Sequence, residues 1–238
     1  MPIDAVIFDW GGTLAYYAEV ELEDMWRLAA RHIAPDREAE VTAQLTAVEV
    51  AYWARTETDQ RSSTLAELLA EARETIGVDV AEAVFEEAAT HYLDSWTPHI
   101  RHDPDAAPML AGLRARGIRT ALLSNTHWPR AFHEHFLERD GLAELLDARL
   151  YSSELPYMKP HPSTFEAALA ALGVTDPARA VFVGDRPYDD VYGAQRLGMR
   201  GVLRPNPSVP PFEVTPAATI DRLPELLGHI DRWNALGG

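Results

Sequence analysis

The sequence predicts an α/β protein whose core is a doubly wound parallel sheet, with an all-helical segment inserted after the first strand. The apolar run Ala5–Phe8 has the length and branching of a buried strand. From there to about residue 96 the periodicity is helical, and after about residue 98 short apolar runs alternate with amphipathic helices. This alternation is typical of parallel strands joined by right-handed crossovers.

The inserted segment is expected to contain four amphipathic helices, at residues 19–33, 36–55, 64–76 and 79–96. The third and fourth begin with Thr64-x-x-Glu67 and Asp79-x-x-Glu82, which have the spacing of a capping box. We therefore expect a helical cap domain over residues 15–97 and a core domain formed by residues 1–14 and 98–238.

In the core domain, strands and helices are expected to follow one another to the end of the chain. A stretch with five prolines, residues 204–216, is expected to be an irregular surface loop. The predicted strands are 118–123, 148–151, 180–183, 201–203 and 219–220, and the predicted helices are 105–116, 129–138, 163–172, 189–197 and 224–233, with Gly117, Gly173 and Gly198 ending three of them.

Composition narrows the possible partners. The chain has 238 residues and 37 acidic against 21 basic ones, so its surface should repel nucleic acid and anionic membranes. It has no cysteine, which excludes disulfides and thiolate sites. No apolar stretch approaches a membrane span, and the first residues do not have the pattern of a signal peptide. A soluble cytoplasmic protein is expected, with its oligomeric state open.

The first strand delivers a carboxylate, Asp9, into the glycine turn Trp10-Gly11-Gly12-Thr13. Open α/β sheets bind ligands at the carboxyl ends of their strands, so Asp9 is a candidate catalytic or binding residue. The segment resembles motif I of the haloacid dehalogenase superfamily, in whose phosphatases an aspartate nucleophile is followed by any residue, a second aspartate and Gly-Thr. Gly11 replaces the second aspartate. In those phosphatases that carboxylate protonates the leaving group and activates water, which is worth about a hundredfold to ten-thousandfold in rate.

Two further segments after predicted strands carry groups that can bind phosphate. Ser124 and Asn125 resemble motif II, in which a hydroxyl and backbone N-H groups hold phosphate oxygens. Lys159, followed by Pro160, resembles motif III. It is the only lysine of the chain, all other basic residues being arginine. A lysine there would neutralise the charge that gathers during phosphoryl transfer.

The strand 180–183 leads into Gly184-Asp185 and then Asp189-Asp190, which resembles motif IV. Magnesium prefers oxygen ligands and usually takes one or two protein carboxylates. The resemblance implies that Asp9, Asp185 and the backbone carbonyl of Gly11 bind Mg²⁺. It also implies that Asp190 acts through water or orients the loop, with Asp189 as a second candidate for this role.

Together the four motifs imply a magnesium-dependent phosphohydrolase acting on a small phosphorylated metabolite through an aspartyl-phosphate intermediate. The implied catalytic residues are Asp9, Ser124 and Lys159, and phosphate would be held by Gly11, Gly12, Ser124, Asn125 and Lys159. The helical segment after motif I matches the position of the family's helical cap, and its sequence identifies no substrate.

The glycine at position 11 leaves other functions than phosphate ester hydrolysis open. Phosphonoacetaldehyde hydrolases have Asp-Trp-Ala-Gly-Thr in motif I but use a cap lysine, and residues 15–96 contain none. Haloacid dehalogenases need neither this carboxylate nor a metal, but Asp185 and Asp190 favour a cation site. A weakened relative that binds phosphate without efficient turnover is the main alternative.

The acid-base role could also have moved to another side chain. Candidates are His127, directly after motif II, and Tyr16, Tyr17, Glu19 and Glu21 at the entrance of the cap. The pairs His99 with His102 and His133 with His135 lack the further ligands of a transition-metal site. Trp10 is expected to pack or to contact the cap.

Overall fold

The computed structural model describes residues 2–77 and 80–236. Six parallel strands form one sheet in the order β3-β2-β1-β4-β5-β6, which confirms the predicted doubly wound sheet. The first strand lies in the middle and pairs with β2 on one side and β4 on the other. The strands are Ala5–Phe8 (β1), Arg119–Ser124 (β2), Ala148–Tyr151 (β3), Ala180–Gly184 (β4), Arg200–Leu203 (β5) and Ala218–Thr219 (β6).

Helices cover both faces of this sheet because successive side chains of its buried strands point to opposite faces. Phe8 and Leu122 belong to the same apolar cluster as residues of α5, α6 and α9. Ile7, which precedes Phe8, and Leu123, which follows Leu122, belong to a second cluster with residues of α7 and α8. These helices are Ala106–Ala115 (α5), Arg130–Arg139 (α6), Pro162–Ala171 (α7), Gly193–Arg196 (α8) and Glu225–Leu236 (α9).

The segment between β1 and α5 is helical, as predicted, and has an apolar core of its own in which Trp26 and Tyr92 stack 3.8 Å apart. The predicted capping box at Thr64 and Glu67 is formed. The second one, at Asp79, lies outside the described residues, and that helix begins at Glu82. The four helices are Leu22–Ile33 (α1), Glu38–Asp59 (α2), Leu65–Ile76 (α3) and Glu82–Trp96 (α4).

Where the helical segment joins the sheet, Ala15 and His102 form an isolated antiparallel bridge. The amide of Tyr16 donates to the carbonyl of Arg101 at 2.9 Å, and the amide of Asp103 donates to the carbonyl of Leu14 at 2.9 Å. A second contact is made by the first residue of α3, where the Leu65 amide donates to the His127 carbonyl at 2.7 Å. The start of α3 therefore reaches the loop that follows Ser124.

One predicted helix has a different form. The segment 189–197 was expected to be a single helix, but Pro187–Tyr192 is π-helical and only Gly193–Arg196 is α-helical. Wide turns of this kind are frequent at functional sites. The five-proline stretch is irregular, as expected, apart from a two-residue turn. None of the helices in the described ranges has the length and apolar character needed to cross a membrane.

Candidate active site

Sheet register brings the ends of β1, β2 and β4 side by side. Phe8 is paired with Leu122 of β2 and with Val183 of β4. Asp9 therefore lies one residue beyond the pairing, and the Asp9 amide donates to the Val183 carbonyl at 2.9 Å. By the same register, Ser124 and Asp185 each lie one residue further on. The carboxyl edge of the central strands thus carries the predicted site residues of three motifs.

Lys159 joins two of the carboxylates at this edge. Its ammonium group lies 2.6 Å from Oδ1 of Asp9 and 2.7 Å from Oδ1 of Asp190. The backbone of Lys159 is clamped by Asn125, whose Nδ2 donates to the Lys159 carbonyl and whose Oδ1 accepts from the Lys159 amide. Its ammonium group also lies 5.0 Å from the centre of the Phe182 ring. The lysine is therefore fixed at both its backbone and its charged end.

Asp190 is held in place through both of its oxygens. Oδ1 accepts from Lys159, and Oδ2 accepts from the backbone amide of Arg186 at 2.9 Å. Its carboxylate lies directly over Gly184, where a Cβ atom would come within 2.1 Å of Oδ2. A side chain at position 184 would therefore displace Asp190, which explains the glycine before Asp185.

Asp185 presents a free oxygen to the same space. Its side chain is buried, and its Oδ2 accepts a hydrogen bond from Nδ2 of Asn206 at 2.7 Å. Its Oδ1 is buried without a hydrogen-bond partner among the residues described. Asp9, Asp185 and Asp190 each offer an oxygen within 4.8 Å of the others. A buried, unpartnered carboxylate oxygen beside two more carboxylates fits a hard divalent cation such as Mg²⁺.

Burial and mutual repulsion raise the pKa values of two of these carboxyl groups. Burial raises the pKa of Asp9 to about 6, with a further contribution from Asp190, although Lys159 acts in the opposite direction. Burial, followed by the charges of Asp9 and Asp190, raises the pKa of Asp185 to about 7. For Lys159, burial lowers the pKa, but Asp190 and Asp9 together raise it above its ordinary value. A bound cation would favour the charged form of both carboxylates.

The two glycines of the first turn have different surroundings. A Cβ atom at Gly11 would meet no other atom within 4 Å, so the space next to its Cα atom is open. Gly12 has a φ of +80°, and a Cβ atom there would come within 2.1 Å of Oδ2 of Asp185. Gly12 is therefore required both for the turn and for the position of Asp185, whereas Gly11 can accept a side chain.

His127, one of the candidates for a relocated acid, is buried in an aromatic environment. Its Nε2 lies 3.3 Å from the hydroxyl of Tyr92, which is also 3.1 Å from the carboxylate of Glu49. Burial lowers the pKa of His127 to about 3. These surroundings favour a neutral side chain that packs between the helical segment and the sheet. The other candidates, Tyr16, Tyr17, Glu19 and Glu21, are partly or fully exposed.

Trp10 connects the first turn to His102, which forms the antiparallel bridge with Ala15. Its Nε1 donates to Nε2 of His102 at 2.9 Å, and Nδ1 of His102 lies 2.7 Å from Oδ2 of Asp140. The edge of the Trp10 ring packs on His133, with ring centres 4.5 Å apart. Trp10 is thus a packing residue, as expected, and one whose indole also makes a polar contact.

Two residues of the five-proline loop reach the site and were not predicted from the sequence. Arg204 donates to the carbonyl of Thr13 and, at 2.6 Å, to Asp103. Asn206 holds Asp185. Both lie within three residues of the end of β5. This position near the carboxyl end of a parallel strand is the signal that could have identified them as candidates.

Comparison with known proteins gives a family match and several named relatives. A family model described as haloacid dehalogenase-like hydrolase matches residues 3–198. A phosphoserine phosphatase of Thermus thermophilus is 38% identical over 124 residues, covering 52% of this chain and 45% of that protein. A glyceraldehyde 3-phosphate phosphatase of Methanopyrus kandleri is 33% identical over 167 residues, covering 64% of this chain and 66% of that protein. The chain thus spans about half to two thirds of the length of these relatives.

The fold is also similar to that of solved structures. A 2-haloacid dehalogenase from Pseudomonas syringae pv. Tomato superimposes with a TM-score of 0.73 at 25% identity, covering 97% of this chain and 99% of that one. The similarity therefore extends over the helical segment as well as the sheet. Because the family model matches most of its length, this chain belongs to the haloacid dehalogenase-like hydrolase family.

Proposed function

We propose that this protein is a magnesium-dependent phosphohydrolase that removes phosphate from a small phosphorylated metabolite. The observation that carries the proposal is the group of three buried carboxylates, Asp9, Asp185 and Asp190, with Lys159 between two of them. Three such carboxylates and one ammonium leave an excess of negative charge in a buried space, and a divalent cation would compensate for it. The relatives named as phosphatases support this reaction over dehalogenation.

In the proposed reaction, a carboxylate oxygen of Asp9 attacks the phosphorus in line with the bond to the leaving oxygen. The P–O bond to the substrate breaks, leaving an aspartyl-phosphate and the alkoxide, which takes up a proton. Water then attacks the phosphorus, the bond to Asp9 breaks, and inorganic phosphate and the free carboxylate are formed. Lys159 stabilises the negative charge of the transferring group, and Ser124 donates to one of its oxygens.

The cation would be held by Asp9, the free oxygen of Asp185 and the backbone carbonyl of Gly11. When bound, it would neutralise the phosphoryl oxygens and draw the substrate to Asp9. Asp190 already uses one oxygen for Lys159 and the other for the Arg186 amide. We therefore assign Asp190 to orienting Lys159 and to contacts with the cation's water ligands. Gly12 and Asn125 supply backbone and positioning contacts in the phosphate site.

Position 11 sets the expected substrate preference. No carboxylate is present there to protonate the leaving oxygen, and His127 is buried with a depressed pKa. We infer that ester cleavage depends on the leaving group, with aryl phosphates and other good leaving groups favoured over alkyl phosphates. The helical segment would act as a cap that excludes bulk water and selects the substrate, over residues 15–97 as expected from the sequence. A cytoplasmic location and the absence of nucleic-acid and membrane partners stay predictions.

The proposal is tested by a screen of phosphate esters with and without Mg²⁺, comparing activated aryl phosphates with alkyl phosphates. We expect turnover that needs the cation and that is faster with aryl phosphates. Asp9→Asn should abolish it while leaving the fold intact, because asparagine has nearly the same shape. Mg²⁺-dependent turnover that survives in Asp9→Asn would contradict the proposed role of Asp9.

Two other outcomes would replace the proposal. Release of halide from 2-haloacids without a metal would identify a dehalogenase, the function named for the similar structure. Binding of Mg²⁺ and phosphate without turnover of any ester would identify the binding or regulatory relative that the glycine at position 11 leaves open.

A further inference from the structure

We propose that Asn206, in the loop after β5, is a positioning residue that sets the affinity of the carboxylate site for its divalent cation. The inference rests on the proposed metal-dependent function. It concerns a residue outside the four motifs, at the end of a fifth strand. Asn206 would act through Asp185 and would not itself touch the substrate.

The side-chain amide of Asn206 is held in one orientation. Its Oδ1 accepts from the backbone amide of Ser208 at 3.0 Å, and its backbone carbonyl accepts from the amide of Val209 at 3.1 Å. These two hydrogen bonds form the turn that begins at Asn206. The Nδ2 group is not needed for the turn, and it donates to Oδ2 of Asp185 at 2.7 Å. A rotation of the amide would replace this attraction by a contact between two oxygens.

This contact makes the two oxygens of Asp185 different. Oδ2 is occupied by Asn206, and Oδ1 is buried and unpartnered among the residues described. The carboxylate is therefore turned so that only Oδ1 remains to bind a cation. Mg²⁺ requires a nearly ideal octahedron, so a carboxylate that is fixed as a one-oxygen ligand is better suited to it than one free to rotate.

Gly12 also limits the position of Asp185. A Cβ atom at Gly12 would lie 2.1 Å from Oδ2 of Asp185 and 3.2 Å from Nδ2 of Asn206. The hydrogen-bonded carboxylate and amide therefore lie close to the backbone of the first turn. The loop itself is anchored nearby, because the Arg204 amide donates to the Gly184 carbonyl at 2.9 Å. Asn206 therefore starts from a fixed backbone and can hold Asp185 against the turn.

The test is calorimetric titration of the full chain with Mg²⁺ in the absence of substrate, so that the measurement does not depend on activity. Asn206→Leu keeps the approximate shape of the side chain and removes the donor, and Asn206→Ala removes both. We expect each to raise the dissociation constant for Mg²⁺ by about 10-fold to 100-fold, the usual effect of losing a partner of a metal ligand. Ser208→Ala, in the same turn, should bind Mg²⁺ as the wild type does because its contact is made by the backbone.

A purely structural role for Asn206 predicts a different result. In that case the variants would unfold at a lower temperature but bind Mg²⁺ with a dissociation constant within about twofold of the wild-type value, and the inference would be wrong. It would also be wrong if the wild-type chain bound no divalent cation. A wild-type chain that binds Mg²⁺ but hydrolyses no phosphate ester would refute the proposed function alone, since the role of Asn206 is judged from the binding constants.

Discussion

The ammonium group of Lys159 lies 2.6 Å from a carboxylate oxygen of Asp9, a residue 150 positions away in the sequence. The same ammonium lies 2.7 Å from Asp190, and all three side chains are buried. The Lys159 ammonium is thus shared between two carboxylates. Asp9, the proposed nucleophile, is held by the same lysine that is proposed to neutralise the charge of the substrate. This arrangement couples the stability of the core to the chemistry at its edge.

Lys159→Met should therefore destabilise the protein as well as inactivate it. Removing the ammonium leaves two buried carboxylates unpaired, which is expected to lower the free energy of unfolding by about 3–5 kcal/mol in denaturant titrations. The double variant Lys159→Met/Asp190→Asn removes one of those charges and should recover part of the loss without recovering activity. A double variant no more stable than the single one would show that repulsion is not the cause.

Gly11→Asp should increase activity toward poor leaving groups. A Cβ atom at Gly11 would meet no other atom within 4 Å, so a side chain can start there without a clash. If proton transfer is what the native site lacks, kcat/KM for alkyl phosphates should rise by about a hundredfold or more, with a much smaller change for aryl phosphates. Gly11→Ala adds the Cβ atom without the carboxylate and should leave both rates close to wild type. An unchanged alkyl rate in Gly11→Asp would indicate that another group already donates the proton.

Gly12→Ala should be harmful, whereas Gly11→Ala at the adjacent position should be tolerated. Its Cβ atom would come within 2.1 Å of Asp185, and its backbone has a left-handed φ of +80°. We expect a loss of stability of about 1–3 kcal/mol and weaker Mg²⁺ binding in calorimetric titration. Equal Mg²⁺ affinities in the two alanine variants would contradict the packing of Gly12 against Asp185.

Stability should fall as the pH falls below about 6.5, in part because two histidines are buried. Burial lowers the pKa values of His127 and His133 to about 3 in the folded protein. The unfolded chain therefore binds more protons between about pH 3 and pH 6.5, and each histidine lowers the free energy of unfolding by up to about 1.4 kcal/mol per pH unit. The stabilisation is complete above the pKa of histidine in the unfolded chain, about 6.5. It is lost as the pH falls toward the lower pKa of the folded state.

The contribution of one histidine is measured by urea unfolding of the wild type and of His133→Gln at pH 7.5 and pH 5.0. The difference between the two pH values should be smaller in the variant by about 2 kcal/mol. His135→Gln changes an exposed side chain of the same helix and should keep the wild-type difference. An identical pH dependence in His133→Gln and the wild type would show that folding does not lower the pKa of His133.

The sheet was predictable because each strand carries its own signal. Ala5–Phe8 and Ala180–Gly184 are continuous apolar runs, and each is followed by glycine and aspartate in a turn. Parallel pairing then places Asp9 and Asp185 at one edge, so their proximity followed from the topology. The prediction that Lys159 lies near Asp9 depended on the family resemblance, because Lys159 does not directly follow a strand.

Other features depend on long-range contacts that no local pattern carries. Asn206 belongs to a proline-rich turn, and only the fold reveals that its spare amide donor meets Asp185. The sequence offers His127 as a candidate acid, and only the fold reveals that the helical segment covers it and places Tyr92 and Glu49 beside it. The sequence predicts one ordinary helix over residues 189–197, because apolar spacing does not distinguish an α-helix from the π-helical turn at Pro187–Tyr192.

The most direct test of the account is to trap the phosphorylated enzyme during turnover. The full chain is mixed with a radiolabelled aryl phosphate and Mg²⁺, quenched in acid, and the labelled peptide is identified by mass spectrometry. The account predicts label on Asp9, formed only with the cation present and absent from Asp9→Asn. Turnover without any label on Asp9, or label on another residue, would contradict the assignment of Asp9 as the nucleophile.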